Sequence, residues 1–112
     1  MTGSRRGDVV LVEFVFSDES GAKLRPALIV SSDAYHRARQ EVVIAAITSN
    51  VTRRFFGDHP IADWQRTGLL FPSTVTGIVR TIRRSMIRRS LGSVTQRDLD
   101  AFGGALRSSL GL

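Results

Sequence analysis

Cysteine is absent from this 112-residue chain, so it has neither a disulfide framework nor a thiolate metal site. That absence fits a reducing, cytoplasmic setting. Histidine occurs only at His36 and His59, with no H-x-x-x-H spacing and no carboxylate cluster beside either. No metal or other cofactor is therefore expected. Uninterrupted apolar runs are short, well below the 18 or so residues of a membrane span. The start, Met1-Thr2-Gly3-Ser4-Arg5-Arg6, has the basic look of a secretory leader. The apolar stretch behind it is broken by Glu13 and patterned like a strand, which argues against export. Repeats, low-complexity tracts and linkers are also missing. Single domains commonly run to roughly 100–150 residues, so residues 1–112 read as one domain.

What is present is arginine, unevenly placed. Lys23 is the only lysine, yet the net charge is +6. Through Thr52 the basic residues Arg5, Arg6, Lys23, Arg25, Arg37 and Arg39 are matched by six carboxylates. From Arg53 onward, ten arginines face only Asp58, Asp63, Asp98 and Asp100. The surplus is densest at Arg80, Arg83, Arg84, Arg88 and Arg89. Such a field favours polyanions, nucleic acid first, although a solvated basic face has the same composition.

Period-two alternation from Val9 to Phe16 predicts a strand entered from the turn Arg6-Gly7-Asp8. The polar stretch from Ser17 to Lys23 reads as a loop. A second strand starts near Arg25, held extended by Pro26, and Ser32-Asp33 then caps a short helical turn, Ala34 to Arg39. Val42 to Thr48, apolar on both faces, predicts a central strand. Asn50 to Gly57 is a basic, phenylalanine-bearing loop. Gly68 to Thr76 and Ile78 to Ile82 read as two further strands bent at Gly77, and Leu91 and Val94 as a last short one. Thr95 with Asp98 resembles a capping box. Behind it, Leu99, Phe102, Leu106 and Leu110 recur at helical spacing, weakened by Gly103 and Gly104. The fold class is mainly β with a C-terminal helix, a compact barrel or strongly curved sheet.

Arg25 and Thr48 stand at facing ends of two apolar runs, Ala27–Val30 and Val42–Ile47. Antiparallel pairing of those runs would make a permanent cation and a hydroxyl neighbours, with room for a phosphate between them. Arg25 is either a structural arginine paired with a carboxylate such as Glu13, or a phosphate ligand at a rigid strand start. Ser31, Ser32, Ser49 and Asn50 supply polar groups at the same strand ends, where turn and capping duty is the competing reading. Arg53 and Arg54 beside Phe55 and Phe56 form a patch able to stack bases and hold phosphates, unless the phenylalanines are core. Trp64 is read as structural rather than as an interface anchor. Arg80, Arg83 and Arg84 are divided between a phosphate-binding edge and ion pairing with Asp63 or Asp98.

In order and over nearly the whole chain, a series of segments resembles the MazF/PemK family of toxins. The series runs Arg6-Gly7-Asp8-Val9-Val10-Leu11-Val12, Arg25-Pro26-Ala27-Leu28-Ile29-Val30-Ser31 and Ile47-Thr48-Ser49. It continues with Asp63-Trp64, Gly68-Leu69-Leu70-Phe71-Pro72-Ser73, Arg80-Thr81-Ile82 and Leu91-Gly92. The resemblance implies a small SH3-like β-barrel, a homodimer, and the toxin of a toxin–antitoxin pair. It further implies a sequence-specific endoribonuclease of the mRNA interferase type that cuts single-stranded RNA without metal. The family arginine and threonine map onto Arg25 and Thr48, the expected catalytic pair, and from their own chemistry Ser49, Asn50, Arg53, Arg54 and Arg80 are expected on the RNA. The Arg-x-Asp pair of some members is missing, since the matching stretch reads Val75-Thr76-Gly77-Ile78-Val79, so no third catalytic group is assigned.

RNA cleavage without metal needs the 2′-hydroxyl to attack its own phosphate, leaving a 2′,3′-cyclic phosphate. A guanidinium is a poor base and a good two-pronged donor to phosphate, so charge stabilisation is the role expected of Arg25. The cognate antitoxin is expected to lay an acidic, partly disordered segment over the basic surface. Two other functions compete. A non-catalytic toxin of the same fold that binds gyrase relies on a tryptophan near its C-terminus, whereas this chain ends Leu106-Arg107-Ser108-Ser109-Leu110-Gly111-Leu112. An RNA-binding barrel without turnover is the third reading.

Overall fold

The computed structural model describes residues 4–14 and 23–112. Its six strands are β1 (Asp8–Phe14), β2 (Lys23–Ile29), β3 (Glu41–Thr48), β4 (His59–Pro60), β5 (Thr74–Arg83) and β6 (Ile87–Ser93). They form one antiparallel sheet in the order β4-β5-β3-β2-β1-β6. Two helices accompany it, α1 (Asp33–Ala38) and α2 (Gln96–Leu110). Among the described residues, no helix is long and apolar enough to cross a membrane.

Both faces of the central strands are buried, which is why β3 reads as apolar throughout. On one face, Val9, Leu28, Ala45, Ile47 and Val75 pack under Leu99 and Phe102 of α2. On the other, Val10, Val12, Ala27, Ile29, Val42 and Ile44 close against Ile82, with Met86 and Ile87 at the margin. β5 and β6 lie on opposite flanks of this set, yet only the turn Arg84–Met86 joins them. The sheet must therefore curl over the second cluster to bring those strand ends together. Irregularities in the β1–β6 and β3–β5 registers supply the extra bend. β4 and β6 do not pair with each other, so the expected barrel is a strongly curled but open sheet.

The predicted second, third and last strands, the helical turn capped by Ser32 and the terminal helix are all present, their ends shifted by a few residues. Val15 and Phe16 of the first predicted strand, and Ser17 to Ala22 of the predicted loop, lie outside the described residues. The strand expected over Gly68–Thr76 is wrong for most of its length. β5 begins only at Thr74, and it runs through Gly77 rather than ending there. Residues 68–73 are a loop despite their apolar run, because Gly68 is left-handed (φ +84°) and Leu70 and Phe71 stay exposed. Around Gly77 the ladder carries extra residues between Val75 and Val79, with Thr76 Oγ1 donating to the Ala46 carbonyl at 2.8 Å. The bend is a bulge inside one strand.

The loop is fixed by glycine contacts against β6. Backbone of the turn Trp64–Thr67 lies so close to β6 that a Cβ on Gly92 would stand 2.7 Å from the Thr67 carbonyl oxygen. Gly92→Ala is therefore expected to lower stability by about 2 kcal/mol, the cost of overpacking a rigid contact. Urea unfolding measures this directly.

α2 is anchored at its start by a carboxylate. Thr95 Oγ1 accepts from the Asp98 N–H, the predicted cap. The Asp98 carboxylate reaches beyond the helix. Its Oδ1 accepts from the Ala62 N–H at 3.0 Å and from His59 Nε2–H at 2.9 Å, and its Oδ2 from the Asp63 N–H at 3.1 Å. Burial alone would raise its pKa, but these donors together hold the carboxyl below the usual carboxylate range.

Candidate active site

Pairing between β2 and β3 runs Ile29↔Ile44, Leu28↔Ala45, Ala27↔Ala46. Continued by two residues, that register sets Arg25 opposite Thr48. The ladder stops short of them, and a cleft of about 510 Å³ opens where they lie. Arg25, Thr48 and Ser49 line it, facing Leu70 and Phe71 of the 68–73 loop and Arg89 of β6. The neighbourhood predicted from sequence is present.

The hydroxyl of Thr48 is already half committed. Its Oγ1 accepts the Asn50 N–H at 3.1 Å, which leaves its own proton available to a ligand. Asn50 Oδ1 in turn takes Thr52 Oγ1–H at 2.7 Å and the Thr52 N–H at 3.3 Å. The chain leaving β3 is thus held by its own side chains, and the Thr48 donor is set before a ligand arrives. Glu13, the carboxylate considered for Arg25, receives Arg88 instead, with Nε at 2.6 Å.

Thr48 also borders a second cleft of about 570 Å³, with Asn50, Arg53, Phe55 and Phe56. Both phenylalanines are exposed, so neither is core. The Arg53 guanidinium lies 5.3 Å from the Phe55 ring centroid, and Asp58 pins the loop by accepting the Phe55 N–H at 3.0 Å. Trp64 packs beneath α2, as expected of a structural residue.

Not every predicted site residue joins these clefts. Arg54 is exposed and lines neither. Arg80 projects from β5 opposite Ile44, also outside both. Ser31 and Ser32 belong to the other end of β2, where Ser31 Oγ binds His36 and Ser32 caps α1, so the idea that they share the Arg25 end is corrected. Asp98 is occupied by His59 and the 62–63 backbone rather than by an arginine. Arg89 is the residue that sequence reasoning missed. Arg89 pairs with Leu11, which also lines the cleft, while Arg88 falls at a bulge in the β1–β6 ladder and goes to Glu13, a placement that needs the register to be known.

Among the described residues, no group of three or more His, Asp or Glu side chains could hold a metal ion. The chemistry on view is cationic and hydroxylic, suited to anchoring and polarising a phosphodiester.

Comparison with known proteins places the chain among its relatives. Endoribonuclease EndoA of Bacillus subtilis (strain 168) is 27% identical over 111 residues, covering 96% of this chain and 95% of that protein. An endoribonuclease solved with its cognate antitoxin, from a mycobacterial species, superposes with a TM-score of 0.78 at 24% identity. That match covers 98% of this chain and 97% of the other. A MazE–MazF structure from Deinococcus radiodurans gives 0.79 at 21% identity, covering 97% and 96%. These structural matches establish the fold. The profile of the PemK-like, MazF-like toxins of type II toxin–antitoxin systems matches residues 5–110, and the chain belongs to that family.

Proposed function

We propose that this protein is the RNA-cleaving toxin of a toxin–antitoxin pair, a metal-independent, sequence-specific endoribonuclease acting on single-stranded RNA. The observation that carries the reading is the convergence of Arg25 and Thr48 on one open cleft, with Arg89 across it. Family membership and the endoribonuclease relatives support it independently.

The ribose 2′-oxygen attacks the adjacent phosphorus, the bond to the 5′-oxygen breaks, and a 2′,3′-cyclic phosphate remains. Negative charge builds on the non-bridging oxygens as the phosphorane forms. Arg25 meets that charge with two parallel N–H donors, and Thr48 adds its free O–H. The 2′-hydroxyl gives its proton to solvent water as it attacks, and the departing 5′-oxygen takes one from the Arg25 guanidinium, which regains it from water. Arg89 adds a second positive charge, in the role left open by the missing Arg-x-Asp pair. Ser49 lies beside the scissile group, while Asn50 and Arg53 with Phe55 and Phe56 continue the track for flanking nucleotides. Arg54 and Arg80 act further out, on the phosphate backbone.

The protein works as one domain in the cytoplasm and as a homodimer. Exposed Leu24, Leu70 and Phe71 support the homodimer, and a monomer by light scattering would contradict it. An acidic antitoxin segment covers the cleft. Incubating the purified protein with a long transcript in excess chelator tests the activity. Discrete fragments ending in 2′,3′-cyclic phosphate are expected. Retention of intact RNA would instead indicate a binding protein without turnover.

A further inference from the structure

At the opposite end of β2 and β3 from Arg25 and Thr48 lies a third cleft, of about 720 Å³. Arg5, Arg37, Arg39 and Arg84 line it, together with Asp33 and His36. Three separate segments deliver these guanidinium groups. Arg5 comes from the stretch before β1, which Gly7 ties to the Ile29 carbonyl at 2.8 Å. Arg37 and Arg39 come from the end of α1, and Arg84 from the turn after β5.

Arg84 is fixed in place before any ligand arrives. Its Nη2 donates to the carbonyls of His36 at 2.5 Å and Arg39 at 3.3 Å, and its backbone N–H to Gln40 at 2.9 Å. Arg39 is partly neutralised by Glu41 and lies over the Tyr35 ring. Arg5 and Arg37 have no carboxylate partner among the described residues. Asp33, 58% exposed, is the one carboxylate on the lining. The cleft is therefore strongly positive.

Its floor carries an unsatisfied polar atom. His36 is 8% exposed, and its Nε2 lies 2.5 Å from Ser31 Oγ, which also accepts the Val43 N–H at 2.9 Å. In the tautomer whose Nε2 accepts the Ser31 hydroxyl proton, the ring proton sits on Nδ1. That buried Nδ1 has no hydrogen-bond partner, the nearest carboxylate oxygen being Asp33 Oδ1 at 3.9 Å. A buried donor without an acceptor, under a cluster of arginines, calls for an anion.

We propose that this cleft is a second phosphate-binding site, remote from the cleavage centre. Phosphate suits it better than a carboxylate, because forked guanidinium groups from three segments need several acceptor oxygens. The phosphate comes either from the backbone of an RNA strand, a source that rests on the ribonuclease reading, or from a small free phosphate.

The test compares wild type with the double variant Arg5→Ala/Arg37→Ala, whose side chains are exposed and make no hydrogen bond or ion pair among the described residues. One arm measures binding of an uncleavable 2′-O-methyl RNA oligomer across a salt series. The other titrates inorganic phosphate against the His36 imidazole ¹⁵N signals. An RNA source predicts roughly tenfold weaker RNA binding by the double variant. Its log–log salt slope should be shallower by about 1.4, at roughly 0.7 per neutralised phosphate on a single strand. A small-phosphate source predicts unchanged RNA binding, with His36 shifted by phosphate in wild type and not in the variant. RNA affinity and slope equal to wild type, with His36 unmoved by phosphate, would overturn the site, as would a His36 response to polyglutamate alone. A wild-type protein that cuts no RNA, yet binds it through Arg5 and Arg37, would end the nuclease reading and leave this one standing.

Discussion

Arg25→Ala is expected to lower RNA cleavage by about 10²–10³-fold, the loss typical of removing one preorganised donor from a developing oxyanion. The side chain lies where the β2–β3 ladder has ended, so β2 keeps its pairing through Ala27, Leu28 and Ile29. Far-UV circular dichroism should therefore match wild type while fragment yield collapses. Arg25→Lys separates charge from shape. Lysine keeps the cation but cannot present two parallel N–H groups, so only part of the rate should return. A variant at position 25 that cuts at the wild-type rate would remove Arg25 from the mechanism.

The largest expected loss of stability is at Asp98. Asp98→Ala strips the acceptor from two backbone N–H groups and from His59, all of them part-buried in these bonds. Orphaned donors cost about 1–3 kcal/mol each before relaxation and entry of water. A total near 3 kcal/mol, or roughly 12 °C in Tm, is expected for a domain of this length. The pH dependence follows from the direction of the shift. Asp98 holds its proton less tightly when folded, so its contribution is complete above the unfolded carboxyl value of 3.8. It is lost as pH falls through the lower folded value. Asp98→Asn keeps one acceptor oxygen but cannot ionise, so it should be milder at neutral pH and should flatten the acid limb. An acid limb identical to wild type would show that Asp98 is not the group responsible.

Short-range signals were legible in the sequence, and their success has a physical basis. Ser32 and Thr95 precede helices because a hydroxyl can accept an N–H that the first turn leaves unpaired, and both do so. Val42 to Thr48 read as central because both of its faces are buried by different clusters. The closeness of Arg25 and Thr48 followed from antiparallel pairing alone. Residues 68–73 misled, because an apolar run predicts a strand only if something covers it, and nothing among the described residues covers Leu70 and Phe71. Asp98 and Arg89 were not legible as they stand. One acts through a loop more than thirty residues away, and the other through a strand pairing that hydrophobic pattern does not specify.

The direct test is a structure of the protein with an RNA oligomer blocked by 2′-O-methylation at the cleaved nucleotide. Its phosphate oxygens are expected within about 3.2 Å of both the Arg25 guanidinium and Thr48 Oγ1, at ordinary hydrogen-bond distance. RNA seated with that phosphate away from the pair, for instance only across Arg53 and Phe55, would contradict that placement.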